Sequence, residues 1–175
     1  MLGIKTYTQD YMLQIRQATA VDSDAIWDIF RAVVVPGDTY TFDPDISRDE
    51  ALAYWLHPSN RCYVAEREGN VVGTYVLRAN QPGLGSHVAN AAFMVAPQAR
   101  GFGVGRGMGE HSLREARRLG FRAMQFNFVV ATNESAIGLW HQLGFKIVGT
   151  LPGAFRHPQK AFVDAYVMFR SLAEA

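Results

Sequence analysis

The sequence predicts an α/β domain with one mixed sheet and helices on both faces. Strand-like alternation and helix-like spacing of apolar residues follow one another in the order βαα-ββ-βαβαββ. A hairpin followed by strand–helix–strand segments is typical of a mixed sheet covered by helices. The chain has 175 residues, 49% of them hydrophobic, which is enough for one buried core and short for two.

Local signals bound the two helices predicted in the first half of the chain. The helix at 21–34 begins with Asp and Ser start signals and ends at Pro36 and Gly37. The next helix, at 47–56, begins with a capping box in which Ser47 precedes a glutamate by three residues. The intervening segment DTYTFDPD is a loop by its turn residues, although it is unusually aromatic.

Alternating patterns predict the strands. Residues 13–19 alternate like a strand, and 62–80 contain two β-rich runs joined by Glu-Gly-Asn, which predicts a hairpin. The remaining predicted elements are a strand at 87–97, a helix ending at Leu119 before Gly120, a strand at 121–130, a helix at 133–143 with Asn133 as N-cap, and strands at 145–153 and 160–172.

Composition excludes several functional classes. The net charge is +1 and there is no sustained Lys/Arg run, so neither a nucleic-acid nor a membrane partner is expected. Cys62 is the single cysteine and cannot form an internal disulfide, which fits a reducing compartment. No signal peptide or membrane span is recognised and no metal site is predicted, so a cytoplasmic location is expected.

The segment PQARGFGVGRGMGEH, residues 97–111, carries five alternating glycines although a helix follows it. Glycines between a strand and a helix let backbone N–H groups converge on a phosphate. The spacing matches neither the Walker loop nor the dinucleotide fingerprint GxGxxG. Gly107 and Gly109 fall inside the helix, where close packing on the sheet explains them better.

Two motifs resemble those of the GNAT superfamily of N-acetyltransferases. The acetyl-CoA signature [QR]-x-x-G-x-[GA] occurs twice in QARGFGVG, and NESAIGLWHQLGF is similar to the superfamily's N-x-x-A-x-x-L-Y-x-x-x-G-F. The resemblance covers residues 14–170 and implies the GNAT acyl-CoA N-acyltransferase fold, with a mostly antiparallel, splayed sheet. It implies one domain over 1–175, with 1–12 as a loosely ordered extension.

The resemblance also implies how acetyl-CoA, the acyl donor, is held. Backbone amides of residues 100–106 would bind the pyrophosphate, and the preceding strand would pair with the pantetheine arm. An N–H near Val95 would serve as oxyanion donor. Asn133 would reach the pantetheine, or act only as an N-cap. The implied cofactor-binding residues are Met94, Val95, Ala96, Arg100, Gly101, Phe102, Gly103, Val104, Gly105, Arg106, Asn133 and Trp140.

Two groups typical of the superfamily are absent. The usual acid, a tyrosine, is replaced by Trp140, whose indole cannot deliver a proton, so we expect Trp140 to pack against the cofactor. The strand HVANAAFMV has no glutamate to serve as base. A small amine is therefore favoured over a protein lysine, whose pKa is about 10.4. His87 either acts through water or is an ordinary strand-edge histidine.

Asn90 and Asn127 interrupt apolar strands that flank the expected cleft. They hold the substrate or the tetrahedral intermediate, or they are structural asparagines. The aromatic loop and GAFRH would shape the pocket, unless they only pack as loops; Asp164 is expected to fix the last strands. The predicted catalytic residues are Asn90, Asn127 and Val95. The predicted substrate-binding residues are Thr39, Tyr40, Phe42, Asn90, Asn127, Arg156 and His157.

The predicted function is transfer of an acetyl group from acetyl-CoA directly to the amine of a small molecule. The arrangement resembles a GNAT branch that includes fungal acetyltransferases of proline analogues. The alternatives are a protein or peptide N-acetyltransferase and a catalytically silent acyl-CoA-binding sensor. The sequence leaves open both the amine and whether the protein forms a homodimer.

Overall fold

The computed structural model describes residues 13–173 and contains a seven-stranded sheet. The strands are β1 (Gln14–Gln17), β2 (Arg61–Arg67), β3 (Asn70–Ala79), β4 (Val88–Val95), β5 (Ala123–Val130), β6 (Lys146–His157) and β7 (Ala161–Ser171). The helices are α1 (Ser23–Val34), α2 (Arg48–Trp55), α3 (Val104–Arg118) and α4 (Glu134–Gln142). This order confirms the predicted one.

The strands lie in the order β1-β2-β3-β4-β5-β7-β6. Every neighbouring pair is antiparallel except β4 and β5, which are parallel. The connection from β4 to β5 is α3, as a parallel pair requires a crossover. The predicted mixed, mostly antiparallel sheet is therefore confirmed.

The helices cover both faces of the sheet, with α1 and α2 on the first face and α3 and α4 on the second. Successive residues of each strand point to these two faces in turn. On the first face, Trp55 of α2 donates to the hydroxyl of Thr74 over 3.0 Å, and Phe30 of α1 packs edge-on against the Trp55 ring. On the second face, Tyr75 and Phe93 stack with ring centroids 5.2 Å apart beneath α3 and α4. The first face is called the acceptor face.

β6 differs from its prediction. It continues to His157 instead of ending at 153, because Pro152 and Gly153 belong to a bulge and not to a turn. The bulge is held by Asp164 of β7, whose carboxylate accepts from the Gly153 N–H over 2.8 Å. The expected structural role of Asp164 thus has a direct contact.

The other boundary differences are small. A short 3-10 turn at Ala20–Asp22 precedes α1, so the helix begins at Ser23. The predicted extension at 1–12 lies outside the described residues. No helix within residues 13–173 is long and apolar enough to cross a membrane.

Candidate active site

β4 and β5 pair only over their first two residues and then diverge. Asn90 lies at the point of divergence and donates from its side-chain amide to the backbone carbonyl of Gln125 over 2.9 Å. On its other side β5 pairs with β7, with a shift of register between Phe126 and Val129. The space between β4 and β5 beyond Asn90 is called the gap below.

The backbone groups of β4 alternate between β3 and the gap. The Ala96 N–H donates to the carbonyl of Val72 over 2.9 Å, so this residue and Met94 use their amides on the β3 side. Phe93 and Val95 direct theirs into the gap. Val95 is therefore placed as the predicted oxyanion donor requires. The predicted pairing of a pantetheine with Met94 and Ala96 is corrected, since β3 already occupies their amides.

The hydroxyl of Tyr40 lies against the gap-facing edge of β4. It donates to the carbonyl of Phe93 over 2.7 Å and accepts from the Phe93 N–H over 3.1 Å. Burial raises the pKa of Tyr40 above its usual range. Tyr40 was predicted to wall the substrate pocket; the structure places its polar end at the backbone of the gap itself.

The glycine loop between β4 and α3 requires glycine at two positions. Gly101 and Gly103 have φ of +82° and +78°, which side chains rarely allow, and Gly103 is the N-cap of α3. A Cβ on either would meet no atom within 4 Å among the described residues, so the space beside them is open. The first helical bond is donated by Gly107. The Arg100 N–H, predicted to bind the pyrophosphate as well, instead donates to the carbonyl of Pro97 over 3.3 Å. The amides of residues 101–106, at the N-terminus of α3, have no hydrogen-bond acceptor among the described residues, and such a group of N–H donors suits a pyrophosphate.

The later glycines serve close packing. A Cβ on Gly107 would lie 2.5 Å from Leu13, and one on Gly109 would lie 2.5 Å from Leu143 of the α4 end. The predicted close packing is confirmed, but the partners are those side chains and not the sheet. Gly105 was predicted to help bind the pyrophosphate. A Cβ on Gly105 would lie at an ordinary contact distance of 3.4 Å from Leu139 of α4.

Side chains around the glycine loop differ in what holds them. Arg106 is tied to Glu110 and Gln142 over 3.0 and 3.3 Å, whereas Arg100 is exposed. The exposed ring of Phe102 lies under the guanidinium of Arg67 at 5.0 Å. Arg67 was not predicted, because only the fold brings the end of β2 to this loop.

Asn133 is the N-cap of α4. Its side-chain oxygen accepts from the amide of Ala136 over 3.3 Å, as the alternative interpretation of this residue expected. The side-chain NH₂ is not used by this cap. A contact between that group and a pantetheine remains a prediction.

Trp140 packs into an aromatic cluster on the second face of the sheet. Its ring lies 4.8 Å from Phe93, 4.7 Å from Phe126 and 6.0 Å from Phe145, and only 7% of the residue is exposed. These contacts account for a large apolar ring at this position. Trp140 was predicted to pack against the cofactor; its burial leaves little of the ring exposed for such a contact, which stays a prediction.

Amide side chains line the acceptor face beside the gap. Asn127 donates to the side-chain oxygen of Asn80 over 2.7 Å and accepts from the side chain of Gln125 over 2.8 Å. Together with Asn90 they span the point where β4 and β5 part. Asn127 is exposed, so it can reach a bound molecule without displacing any of the core.

Arg78 completes this polar group. It lies opposite Asn90 in the pairing of β3 with β4 and therefore shares its face. Its guanidinium donates to the hydroxyl of Tyr54 over 3.2 Å and lies 5.5 Å from that ring. Among residues 13–173, no carboxylate lies within ion-pair distance of Arg78. This places an uncompensated cation next to the asparagines.

The aromatic loop at 38–45 is anchored by Phe42. That ring lies 4.9 Å from Phe30 and 5.0 Å from Tyr54, so it serves to hold the loop as well as to shape a pocket. The Thr39 hydroxyl oxygen is buried and finds no hydrogen-bond partner in the described part of the chain. A hydroxyl both donates and accepts hydrogen bonds, so this group is able to bind a polar atom of a substrate.

Arg156 and His157 do not act as a pair. Neighbouring residues of a strand point to opposite faces, and Arg156 is exposed whereas His157 is buried. The ring nitrogen Nδ1 of His157 accepts from the backbone amide of Gln159 over 3.1 Å, which stabilises the β6–β7 turn. Arg156 and His157 were each predicted as a substrate-binding residue, and contact of either one with a substrate stays a prediction.

His87 and Cys62 lie away from the gap. His87 is exposed and contacts the carbonyl of Leu84, before the paired end of β4. Cys62 lies on β2, with β3 between it and β4. Burial raises the pKa of its thiol to about 11, so it is a poor nucleophile.

Sequence reasoning missed Arg78, Asn80 and Gln125. A signal for the first two was present, because VLRAN ends an apolar strand with polar residues two apart, which must share one face. Their position beside Asn90 depends on strand register, which the sequence alone does not supply.

The chain was compared with known proteins. Residues 24–145 match the model of the Acetyltransferase (GNAT) family. N-acetyltransferase aca1 of Schizosaccharomyces pombe is 31% identical over 159 residues, covering 79% of this chain and 76% of the relative.

Solved structures show the same fold. A GCN5-related N-acetyltransferase from Kribbella flavida is 45% identical with a TM-score of 0.87, covering 91% of this chain and 97% of that one. YncA from Salmonella typhimurium, determined with its cofactor acetyl-CoA, is 25% identical with a TM-score of 0.82, covering 94% and 96%.

Proposed function

This chain belongs to the GNAT family of acetyltransferases, and we propose that it acetylates small amines that also carry a carboxylate. Acetyl-CoA is the donor, and amino acids or proline analogues are the acceptor class. The observation that carries the acceptor class is Arg78, which lies opposite Asn90 on the acceptor face and has no carboxylate within ion-pair distance among residues 13–173.

The donor side is supported by two neighbouring features. The free amides of residues 101–106 at the start of α3 suit a pyrophosphate, and the open edge of β4 at Val95 suits an extended arm with amide groups. A chain that enters along β4 from the glycine loop would bring its thioester towards Asn90. These residues would bind and orient the donor without moving β3.

The transfer proposed here is direct. The neutral amine attacks the thioester carbonyl carbon, and the carbon–oxygen π electrons move onto oxygen in a tetrahedral intermediate. Its collapse breaks the carbon–sulfur bond, so the electron pair leaves with sulfur and the amine's extra proton passes to water. The Val95 N–H would stabilise the oxyanion. A covalent route through Cys62 is disfavoured by its burial and raised thiol pKa.

The acceptor side would bind the carboxylate through Arg78 and the neighbouring amides of Asn80 and Asn127. A guanidinium binds a carboxylate with two parallel hydrogen bonds, which fixes orientation as well as position. The buried hydroxyl of Thr39 supplies a further unused group in the aromatic loop. Asn90 and Asn127 would then place the amine at the gap.

A peptide acceptor is disfavoured by the walls of this region. A Cβ on Gly37 would lie 3.6 Å from Pro44 of the aromatic loop and 4.0 Å from Pro158 of the β6–β7 turn. The loop and the turn thus approach each other, whereas a peptide needs an open groove. A silent sensor would need the same donor site but would not need Arg78.

The test is thiol release from acetyl-CoA with a panel of acceptors. Each amino acid or proline analogue is paired with its carboxamide, and peptides and polyamines are included. We expect turnover of the acids and much weaker turnover of the carboxamides. Turnover of peptides alone would support the first alternative, and turnover of nothing in the panel would support the sensor.

We also propose that the protein works in the cytoplasm, with which its single, buried cysteine is compatible.

The edge strand β6 offers a surface for a second copy of the chain. It carries the exposed apolar residues Ile147, Val148 and Leu151. We propose that a second copy pairs there. Light scattering should give a dimer mass, and Val148→Lys should give a monomer; a monomeric unmodified protein would contradict this.

A further inference from the structure

Tyr40 and Trp140 approach the same residue of β4 from two sides. The Tyr40 hydroxyl binds both backbone groups of Phe93 that face the gap, and the Trp140 ring lies 4.8 Å from the Phe93 ring. In the motif resemblance described above, Trp140 stands where the superfamily pattern has a tyrosine. The hydroxyl missing from α4 is therefore matched by another one at the same strand residue.

We propose that Tyr40 is a catalytic residue whose hydroxyl donates a hydrogen bond to the sulfur that leaves during acetyl transfer. This inference rests on the proposed function. As the carbon–sulfur bond breaks, the electron pair goes to sulfur and the Tyr40 O–H turns from the Phe93 carbonyl towards it. No proton leaves Tyr40; the thiolate takes its proton from water.

The surroundings of Tyr40 suit this role. Its ring stacks on Phe42 at 5.9 Å, and Phe42 is itself fixed against Phe30, so the hydroxyl is held in place before any substrate arrives. The Phe93 N–H donates to the same hydroxyl oxygen, which polarises the O–H bond. A donor that is already held in place needs no reorganisation as charge develops on the sulfur.

Burial also explains why the hydroxyl donates a hydrogen bond rather than a proton. It raises the pKa of Tyr40 above its usual range and outweighs the backbone hydrogen bond of Phe93, which lowers that pKa. Tyr40 therefore stays protonated wherever the enzyme works. A coenzyme thiolate would be stabilised by it without being protonated by it.

The test is Tyr40→Phe, which keeps the ring and removes the hydroxyl. We expect kcat to fall by about 10²–10³-fold, the range for loss of one positioned donor, while the Kd of acetyl-CoA from calorimetry changes little. A direct readout is the pKa of the thiol of bound coenzyme A, followed by ultraviolet absorbance of the thiolate. It should be higher in the variant by about one unit.

Tyr63→Phe is the matched control. Tyr63 is also buried, and the substitution removes its 2.6 Å hydrogen bond to Glu115, but Tyr63 lies on β2, away from the gap. Its kcat and the pKa of the bound thiol should stay unchanged. If Tyr40→Phe does not fold, a fluorotyrosine at position 40 keeps the hydroxyl and makes it a stronger donor, so the pKa of the bound thiol should fall.

Three results would overturn the proposal. An unchanged kcat and bound-thiol pKa in Tyr40→Phe would leave the hydroxyl with a structural role alone. Tighter acetyl-CoA binding without loss of kcat would show that Tyr40 only blocks the gap. A wild-type protein without any acetyl transfer would overturn the proposed function as well, whereas the first two results would leave it intact.

Discussion

The side-chain amide of Asn90 donates to the backbone carbonyl of Gln125 over 2.9 Å, across the point where β4 and β5 part. This bond connects the two strands beyond their last backbone pair. The residues of β4 that follow Asn90 are not paired with β5 and are open to the gap. The residue that interrupts an apolar strand in the sequence therefore marks where the sheet opens.

Asn127→Ala is expected to lower kcat strongly and to leave acetyl-CoA binding nearly intact. Asn127 is exposed on the acceptor face, and within residues 13–173 its side chain bonds only to the side chains of Asn80 and Gln125, so its loss should spare the core. Steady-state kinetics and calorimetry with acetyl-CoA measure the two effects. Asn70→Ala, at the exposed first residue of β3, is the control. Unchanged kcat in Asn127→Ala would refute the assignment.

Arg78→Gln should raise the KM of the carboxylate-bearing acceptor by about 10–100-fold and leave the KM of acetyl-CoA unchanged. A charge-assisted hydrogen bond contributes about 1.5–3 kcal/mol, which corresponds to that range. The informative comparison is the carboxamide acceptor, whose KM should hardly respond to the variant. An equal rise for acid and carboxamide would show that Arg78 acts on the pocket's shape and not on a carboxylate.

Gly103→Ala should destabilise the protein by about 1–2 kcal/mol and weaken acetyl-CoA binding. Gly103 has φ of +78°, which an L-residue adopts at roughly that cost, and it is the N-cap of α3, whose first amides are proposed to bind the donor. Thermal unfolding and calorimetry report the two effects.

Gly138→Ala is the control for this glycine. Gly138 lies inside α4, and a Cβ there meets no described atom within 4 Å, so alanine should stabilise by up to about 1 kcal/mol. Acetyl-CoA affinity should not change. Equal behaviour of the two variants would argue that Gly103 has no special conformation in solution.

Much of the fold could be predicted because its signals are local. The capping box of Ser47 and Glu50 is present as expected, and so is the Asn133 cap. The end of β6 could not be predicted, because Pro152 and Gly153 imitate a turn. What keeps them in the strand is Asp164, eleven residues away and on another strand.

The candidate site was predictable only where chain order determines position. The glycine loop directly joins β4 to α3, so its role follows from sequence neighbours. Arg78 meets Asn90 through strand register, and Tyr40 meets Phe93 across 53 residues. Residues that converge from separate elements form no short-range pattern in the sequence. The aromatic loop could therefore be recognised only by its unusual composition.

Asp22→Asn should destabilise the protein by about 1–2 kcal/mol at neutral pH, with the difference vanishing in acid. Hydrogen bonds from Arg16, at 2.7 and 2.8 Å, lower the pKa of the buried Asp22 carboxyl to about 2 from 3.8. A lowered pKa gives stability that is present above about pH 4 and is lost as pH falls through about 2.

Urea unfolding from pH 7 to pH 2 measures this difference. The control is Asp24→Asn, because Asp24 is 89% exposed and its ion pair with Arg48 should contribute less than about 0.5 kcal/mol. A difference between Asp22→Asn and wild type that persists at pH 2 would mean that the asparagine disturbs packing rather than an ion pair.

Trp140→Phe should lower stability by about 1–2 kcal/mol and change kcat by no more than a few-fold. Trp140 fills space between Phe93, Phe126 and Phe145, so a smaller ring leaves a cavity in that cluster. Its indole is not asked to stabilise the leaving sulfur, because Tyr40 reaches the gap from the other side.

Kinetics well below the unfolding temperature separate the two roles of Trp140. Trp55→Phe serves as the comparison, since Trp55 is fully buried on the acceptor face and bonded to Thr74, away from the Phe93 cluster. Both variants should unfold more easily and both should keep kcat. A loss of about 100-fold in Trp140→Phe alone would place the indole in the chemistry, and Tyr40 would then no longer be needed to explain how an enzyme without the usual tyrosine turns over.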